Sequence, residues 1–240
     1  MARIPVREGT AVYEAHKKGS HLSAVDVRRI GTQGKCTGPF ERIECDLLCM
    51  SIGFTPTYQL PCQAGATLDY DDASATFSID GLPDALYLAG SVNGRWALDH
   101  TRRDGRHAGS RAATGSGFEC ETCPAPSSPD ESTNFTWPIF LHSNGKEFID
   151  YDEDLQAGDI INATRDGYEH VQLVKRYSTV GMGPSQGRHS ALATARLVAD
   201  ATGRTVAETG VTTARPPYAP ERIAHNAGRS YYPERHTPMH

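Results

Sequence analysis

The feature that most constrains this 240-residue chain is a break within it. Residues 115–137, GSGFECETCPAPSSPDESTNFTW, are rich in glycine, proline and serine and carry no hydrophobic period, so they read as a linker. The chain is longer than the usual domain of about 100 to 150 residues, and the break divides it into two modest units. The boundaries are 1–114 for the first unit, 115–137 for the linker, 138–213 for the second unit and 214–240 for a proline-rich extended tail. The hydrophobic fraction is 38% in a count that omits glycine. Against a globular norm of about 45–50% that includes it, this argues against wholesale disorder.

In the first unit, Ser23 to Ile30 alternates well enough for a strand. Arg42 to Ile52 (RIECDLLCMSI) is a nearly continuous apolar run, which predicts a buried central strand ended by Gly53. A hairpin follows at Leu68 to Ile79, then a short buried strand at Ala85 to Ala89 and a glycine turn at Gly90-Ser91. Arg95 to Ala113 has no proline and reads as a helix stopped near Gly115. The order is that of an α/β domain.

In the second unit, Ile139 to Ile149 predicts a hairpin around Asn144-Gly145, Asp154 to Arg165 a helix ending at Gly167, and Ser190 to Thr202 a helix stopped by Gly203. Before that last helix, Lys175 and Arg176 precede the hydroxyl run Tyr177, Ser178 and Thr179, followed by Gly181, Gly183, Gln186 and Gly187. Glycines before a helix allow backbone N–H groups to approach an anion. The G-x-G-x-x-x-G spacing is one residue too long for the dinucleotide fingerprint, and a plain glycine turn between strand and helix explains it equally well.

Other chemistry is sparse. Cys120 and Cys123 have C-x-x-C spacing without a second pair, so the six cysteines read as reduced thiols. The histidines fall into no H-E-x-x-H pattern. A net charge of −5 gives no drive toward nucleic acid. The longest apolar stretches, such as ALYLA at 85–89, are far shorter than the ~18 residues of a membrane span, and MARIPVREGT is no secretory signal. A cytoplasmic address is the expectation.

The run VKRYSTVGMGPSQGRHSALATARLVADATGRTVAETGVTTARPPYAP resembles the middle domain of the alpha subunit of heterotetrameric sarcosine oxidases. Upstream, CDLLCMSIGFTPTYQLPCQAGATLDYD and LYLAGSVNGRWALDHTRRDGRHAGSRAA resemble the end of that subunit's disulfide-reductase-like FAD/NAD-binding domain. ERHTPMH resembles the junction into a folate-binding domain. The resemblance implies an internal slice of a larger subunit: the C-terminal part of a dinucleotide-binding domain, a small α+β domain and an extended tail. It also implies oxidation of a secondary amine, with electrons passing through FMN at the interface with a beta-like flavoprotein subunit to oxygen, and smaller subunits in the same hetero-oligomer. NAD or FAD would occupy the dinucleotide part.

On this resemblance, Gly90, Ser91, Asn93 and Gly94 face the dinucleotide groove, with Ser91 where flavoprotein relatives carry an aspartate. Lys175, Arg176, Tyr177, Ser178, Thr179, Gly181, Gly183, Gln186 and Gly187 form the alpha-side wall of the FMN site. Related amine and opine oxidoreductases hold a [2Fe-2S] cluster in the equivalent small domain, which is of the bacterioferritin-associated ferredoxin type. Here Asp150, Asp152, Ser185 and Ser190 stand at the four cysteine positions, so no cluster is expected, and Ser190 reads as the N-cap of the next helix. A noncatalytic docking module is the alternative.

Overall fold

The computed structural model describes residues 4–31, 36–126, 141, 145–222, 225 and 237–239. It opens with an antiparallel sheet of β1 (Thr10–Lys18), β2 (His21–Ile30) and β3 (Cys36–Glu44) in the order β1-β2-β3. The central strand buries Ala24, Val25, Asp26 and Val27 in succession. A buried carboxylate needs partners, and the register supplies them. Arg42 lies directly across from Asp26 and donates from Nε to Oδ1 at 2.8 Å and from Nη2 to Oδ2 at 3.0 Å. His16 Nε2 is 2.7 Å from Oδ2.

The apolar run 42–52 is not a central strand. Only Arg42 to Glu44 pair, at the end of the edge strand β3, and the chain then leaves the sheet with Leu47 73% and Ile52 85% exposed. Hydrophobicity marks a segment for burial but does not supply a neighbouring strand, and none pairs with residues 45–58 among the described residues. Residues 85–89 are likewise not a strand: Ala85 has φ +62°, and Tyr87 turns its ring to Arg111 of the following helix, 5.3 Å away.

Between these segments lie helix α1 (Gln59–Gln63) and the expected hairpin, β4 (Thr67–Asp71) with β5 (Thr76–Gly81). A 3₁₀ turn at Gly90–Asn93 leads to α2 (Leu98–Gly115), which matches the predicted helix. In the second unit, β6 (Phe148–Asp150) pairs with β7 (Leu155–Gln156) across residues 151–154. This hairpin turns within those residues, and the one expected around Asn144-Gly145 lies largely outside the described residues, Asn144 included. The acidic turn is built for it: Asp152 N donates to Asp150 Oδ1 at 3.0 Å, and Asp154 takes φ +53°.

Helices α3 (Ala157–Arg165), α4 (Val171–Ser178), α5 (Ala191–Thr202) and α6 (Val206–Thr209) follow. Ile160, Ala163, Val174, Val180, Leu197 and Val198 form one core. A second core joins Tyr58, Tyr70 and Phe77 to Ala195, with Leu192 and Val206 against it. The β4–β5 hairpin thus packs on α5, and Arg196 Nη2 secures it by donating to Ala75 O at 2.8 Å and to Tyr70 Oη at 3.1 Å. The described part of the tail has no strand, and Pro216-Pro217 is joined by a cis peptide. No described helix is long and apolar enough to cross a membrane.

Candidate functional site

The 171–178 segment is a helix, so the glycines after it do not follow a strand. Val171 and Val174 are buried at i, i+3 while Lys175 and Arg176 occupy the last turn, where cations suit the helix dipole. The helix ends at Thr179, in the left-handed region at φ +69°. Gly181 and Gly187 also have positive φ, +72° and +75°, and a Cβ on Gly181 would stand 3.3 Å from Gly187 Cα. Only glycine allows this approach.

The backbone donors that the sequence reading offered to a ligand are largely used within the protein. Gly181 N donates to Asp150 Oδ2 at 2.7 Å, and Ser185 N to Asp152 Oδ2 at 2.7 Å. Gly183 packs against the Asp152 side chain, leaving no room for a Cβ. Gln186 Nε2 donates to the carbonyls of Met182 and Gly183 at 3.1 and 3.0 Å. Three hydroxyls are also engaged: Tyr177 Oη with Asp166 at 2.7 Å, Ser178 Oγ with Val174 O at 2.7 Å and Thr179 Oγ1 with Glu153 at 3.1 Å. The Tyr177 hydroxyl is held above its usual pKa chiefly by its hydrogen bond to Asp166. Arg176 is exposed.

Lys175 is different. Its half-buried side chain lines a cleft with Gln186 and Gly187, which Gln59 and Gln63 of α1 and Arg215 of the tail also line. Burial, then the charge of Arg215, pushes the Lys175 ammonium below its usual range. Gln59, Gln63 and Arg215 went unnoticed in the sequence because they lie far from the glycine segment and belong to no motif.

Asp150, Asp152, Ser185 and Ser190 do converge. Asp150 and Ser190 are completely buried, and Ser190 Oγ donates to Asp150 Oδ2 at 3.1 Å. Ser190 precedes α5, but its side chain caps no helix N–H; the buried carboxylate takes it instead. Burial favours the hydrogen bond to the carboxylate over the cap. Asp150, Asp152 and His189 bring their potential ligand atoms within 4.8 Å of one another. Asp150 already accepts three donors, so the group is a hydrogen-bonded joint and not an open set of metal ligands. The Asp152 carboxyl is held below its usual range by its hydrogen bonds from Ser185, side chain first and then backbone.

At the other predicted site, Gly90 N donates to Asp104 Oδ2 at 2.8 Å, and Asn93 Nδ2 reaches both Asp104 oxygens at 3.1 Å. Asp104, on α2 and 2% exposed, organises the turn. Its place among cations in TRRDGRH hid it from sequence reading. Gly90 and Gly94 have φ of +75° and +68°, and Ser91 is exposed. The turn follows an unpaired extended segment, not a strand end. Cys120 and Cys123 lie beside α2, where Cys123 N donates to Ser110 Oγ at 3.3 Å and His107 Nδ1 is 2.6 Å from Cys123 O. All six cysteines are free thiols.

Residues 144–229 match the sarcosine oxidase A3 domain. The chain is 32% identical over 255 residues to sarcosine oxidase subunit alpha of Corynebacterium sp. (strain P-1), an alignment covering 100% of this chain and 26% of that one. It is 32% identical over 244 residues to the same subunit of Rhizobium meliloti (strain 1021), covering 98% of this chain and 24% of that one. In fold it is similar to the crystal structure of L-proline dehydrogenase from P. horikoshii, with a TM-score of 0.65 and 18% identity over 90% of this chain and 44% of that chain. That likeness is one of mixed helix and strand architecture. Over its whole length the chain is similar to sarcosine oxidase alpha subunits, and it spans about a quarter of their length.

Proposed function

We propose that the chain forms the alpha-side part of an amine-oxidising flavoprotein complex. In this reading a secondary amine is oxidatively demethylated at a beta-like flavoprotein subunit, and FMN lies between that subunit and this chain. A bound flavin would supply the chemistry, taking two electrons from the amine and passing them to oxygen, which leaves as hydrogen peroxide. The chain's own residues bind and orient. The observation that carries the reading is the cleft in which Lys175, Gln186 and Gly187 meet Arg215, within a chain similar throughout to sarcosine oxidase alpha subunits.

The fit to an anionic cofactor is a matter of charge. Lys175 and Arg215 face one cleft, and neither has a carboxylate partner among the described residues. The dinucleotide part of the proposal rests on the Gly90–Gly94 turn, whose left-handed glycines keep side chains away from an approaching ligand while Asp104 fixes the backbone. The turn would contact NAD or FAD.

The test is co-expression with a beta-like subunit, followed by absorption spectra of the complex and of each part. Flavin bound only in the complex and amine-dependent bleaching of its band are expected. A complex free of flavin would leave the docking reading. One observation favours that alternative: Leu47, Met50, Ile52 and Phe54 form an exposed apolar run, the kind of surface that partners cover.

A further inference from the structure

A second cavity, whose lining includes neither Lys175 nor Arg215, lies between α1, the β4–β5 hairpin, α6 and residues 210–214. It measures about 270 Å³, well above the ~150 Å³ of a dry apolar cavity that holds benzene. Cys62, Leu68, Tyr70, Phe77 and Val211 give it apolar walls. The rings of Tyr70 and Phe77 stand 5.1 Å apart, tilted by 60°, and the Tyr70 hydroxyl accepts from Arg196, so Tyr70 offers its ring. Burial pushes the Cys62 thiol above its usual pKa, which keeps this wall uncharged.

Tyr58 adds an independent observation. It lines the cavity and is 4% exposed, yet its hydroxyl forms no hydrogen bond with any described residue. Buried tyrosine hydroxyls ordinarily find a partner. Burial, then the nearby Cys62, holds this hydroxyl well above its usual pKa, so it is a protonated donor. Cys62 lines this cavity and not the Lys175 cleft, and its closeness to the hydroxyl places that donor at the wall of the second cavity.

The lining also sets the charge of what can enter. Among the described residues that form it there is no cation, and Asp69 is the sole ionised group. An anion would lose its hydration with nothing to replace it. Asp69 is exposed, and its Oδ1 already accepts from Tyr70 N at 2.9 Å, so water screens it and it exerts little pull on a cation. A neutral apolar body with one hydrogen-bond acceptor meets every requirement.

We propose that this cavity binds a small neutral aromatic carbonyl compound, whose ring packs on Leu68, Tyr70 and Phe77 and whose carbonyl oxygen accepts from Tyr58 Oη. The site stands apart from the flavin reading, and either can fail without the other.

Saturation-transfer NMR titration of the full chain with four compounds of similar shape tests it: acetophenone, isopropylbenzene, benzoate and benzylamine. Acetophenone is expected to bind at least about threefold more tightly than isopropylbenzene, which lacks the acceptor and so forgoes one hydrogen bond. It should bind at least about tenfold more tightly than benzoate, which must bury a charge. Tyr58→Phe should bring acetophenone and isopropylbenzene to equal affinity without lowering the thermal midpoint, because the hydroxyl it removes has no partner in the protein. Ala207→Phe, at the exposed rim, should abolish binding of both with an unchanged far-UV circular dichroism spectrum. Bound acetophenone should slow hydrogen exchange in β4 and β5 and leave β1 to β3 unchanged. Isopropylbenzene binding as tightly as acetophenone to the unaltered chain, or a preference that survives Tyr58→Phe, would overturn the proposal. Tightest binding of benzoate or benzylamine, binding untouched by Ala207→Phe, or binding of none of the four would do the same.

Discussion

Replacing Asp150 with alanine should cost about as much as truncating a large core side chain. Its carboxylate is completely buried and receives Gly181 N at 2.7 Å, Ser190 Oγ at 3.1 Å and Asp152 N at 3.0 Å. Asp152 is exposed and its N–H can turn to water, so it adds little to the cost. Gly181 and Ser190 are buried and cannot. An orphaned buried donor costs about 1–3 kcal/mol. Two of them give about 2–6 kcal/mol, and we expect about 3–5 kcal/mol for Asp150→Ala, a large share of the ~5–15 kcal/mol of a whole domain. Asp150→Asn keeps an acceptor for both buried donors and should lose about 1–2 kcal/mol. Urea unfolding followed by far-UV circular dichroism measures these losses, and hydrogen exchange at the Gly181 amide localises them. A double-mutant cycle with Ser190→Ala should give a coupling of at least about 1 kcal/mol. A loss below ~1 kcal/mol for Asp150→Ala, or strict additivity with Ser190→Ala, would refute the reasoning.

Asp104→Ala should free the Gly90–Asn93 turn at a cost of about 2–3 kcal/mol, read as a thermal shift, because Gly90 N is left buried without an acceptor. Gly90→Ala should cost about 1–2 kcal/mol, since φ is +75° and the new Cβ meets Thr101 Cγ2 at 3.3 Å. Asp26 should titrate at about 2 instead of 3.8, held down first by the hydrogen bonds from Arg42 and then, against the opposing effect of burial, by His16. Its contribution to stability is present in full above pH ~4 and is lost as the pH falls from there toward 2. Carboxyl-carbon NMR checks the value, and Arg42→Gln should move acid unfolding of the first sheet to higher pH. Arg196→Met should raise hydrogen exchange in β4 and β5 while sparing β1 to β3, because Arg196 bonds Tyr70 and Ala75 of the hairpin alone.

What could be read from the residues alone divides by range of interaction. The β4–β5 hairpin, α2, α3 and α5 lie near their expected places because strand alternation and helix stop signals are written within a few residues. The apolar runs at 42–52 and 85–89 misled because a strand depends on a distant neighbour. One run stays exposed, and the other turns a tyrosine onto α2. The 171–178 segment could be taken for a strand only while its β-branched residues outweighed the i, i+3 spacing of Val171 and Val174, which the core then uses. In the candidate site, Lys175, Gln186 and Gly187 were legible as chemistry, whereas Gln59, Gln63 and Arg215 become partners only once the chain has folded.

The Asp150 joint and the cleft are mechanically connected. Asp150 holds Gly181, whose added Cβ would stand 3.3 Å from Gly187 Cα, and both glycines take positive φ, where a side chain is strained. Gly187 is a wall of the cleft, while Lys175, six residues before Gly181, is held at the end of α4 by packing of Val174 and Val180 in the same core. Asp150, Asp152, Ser185 and Ser190 thus share a structural task. Asp150 and Ser190 meet directly, and Asp152 anchors Ser185, fixing the loop between α4 and α5. A loop held at Gly181 and Ser185 presents Gly187 to the cleft in one position, and a binding site made of a few polar groups needs that constancy, because misplacement by even an ångström weakens its hydrogen bonds. Loosening the joint by Asp150→Asn should therefore weaken anion binding in the cleft even though Asp150 itself does not line it.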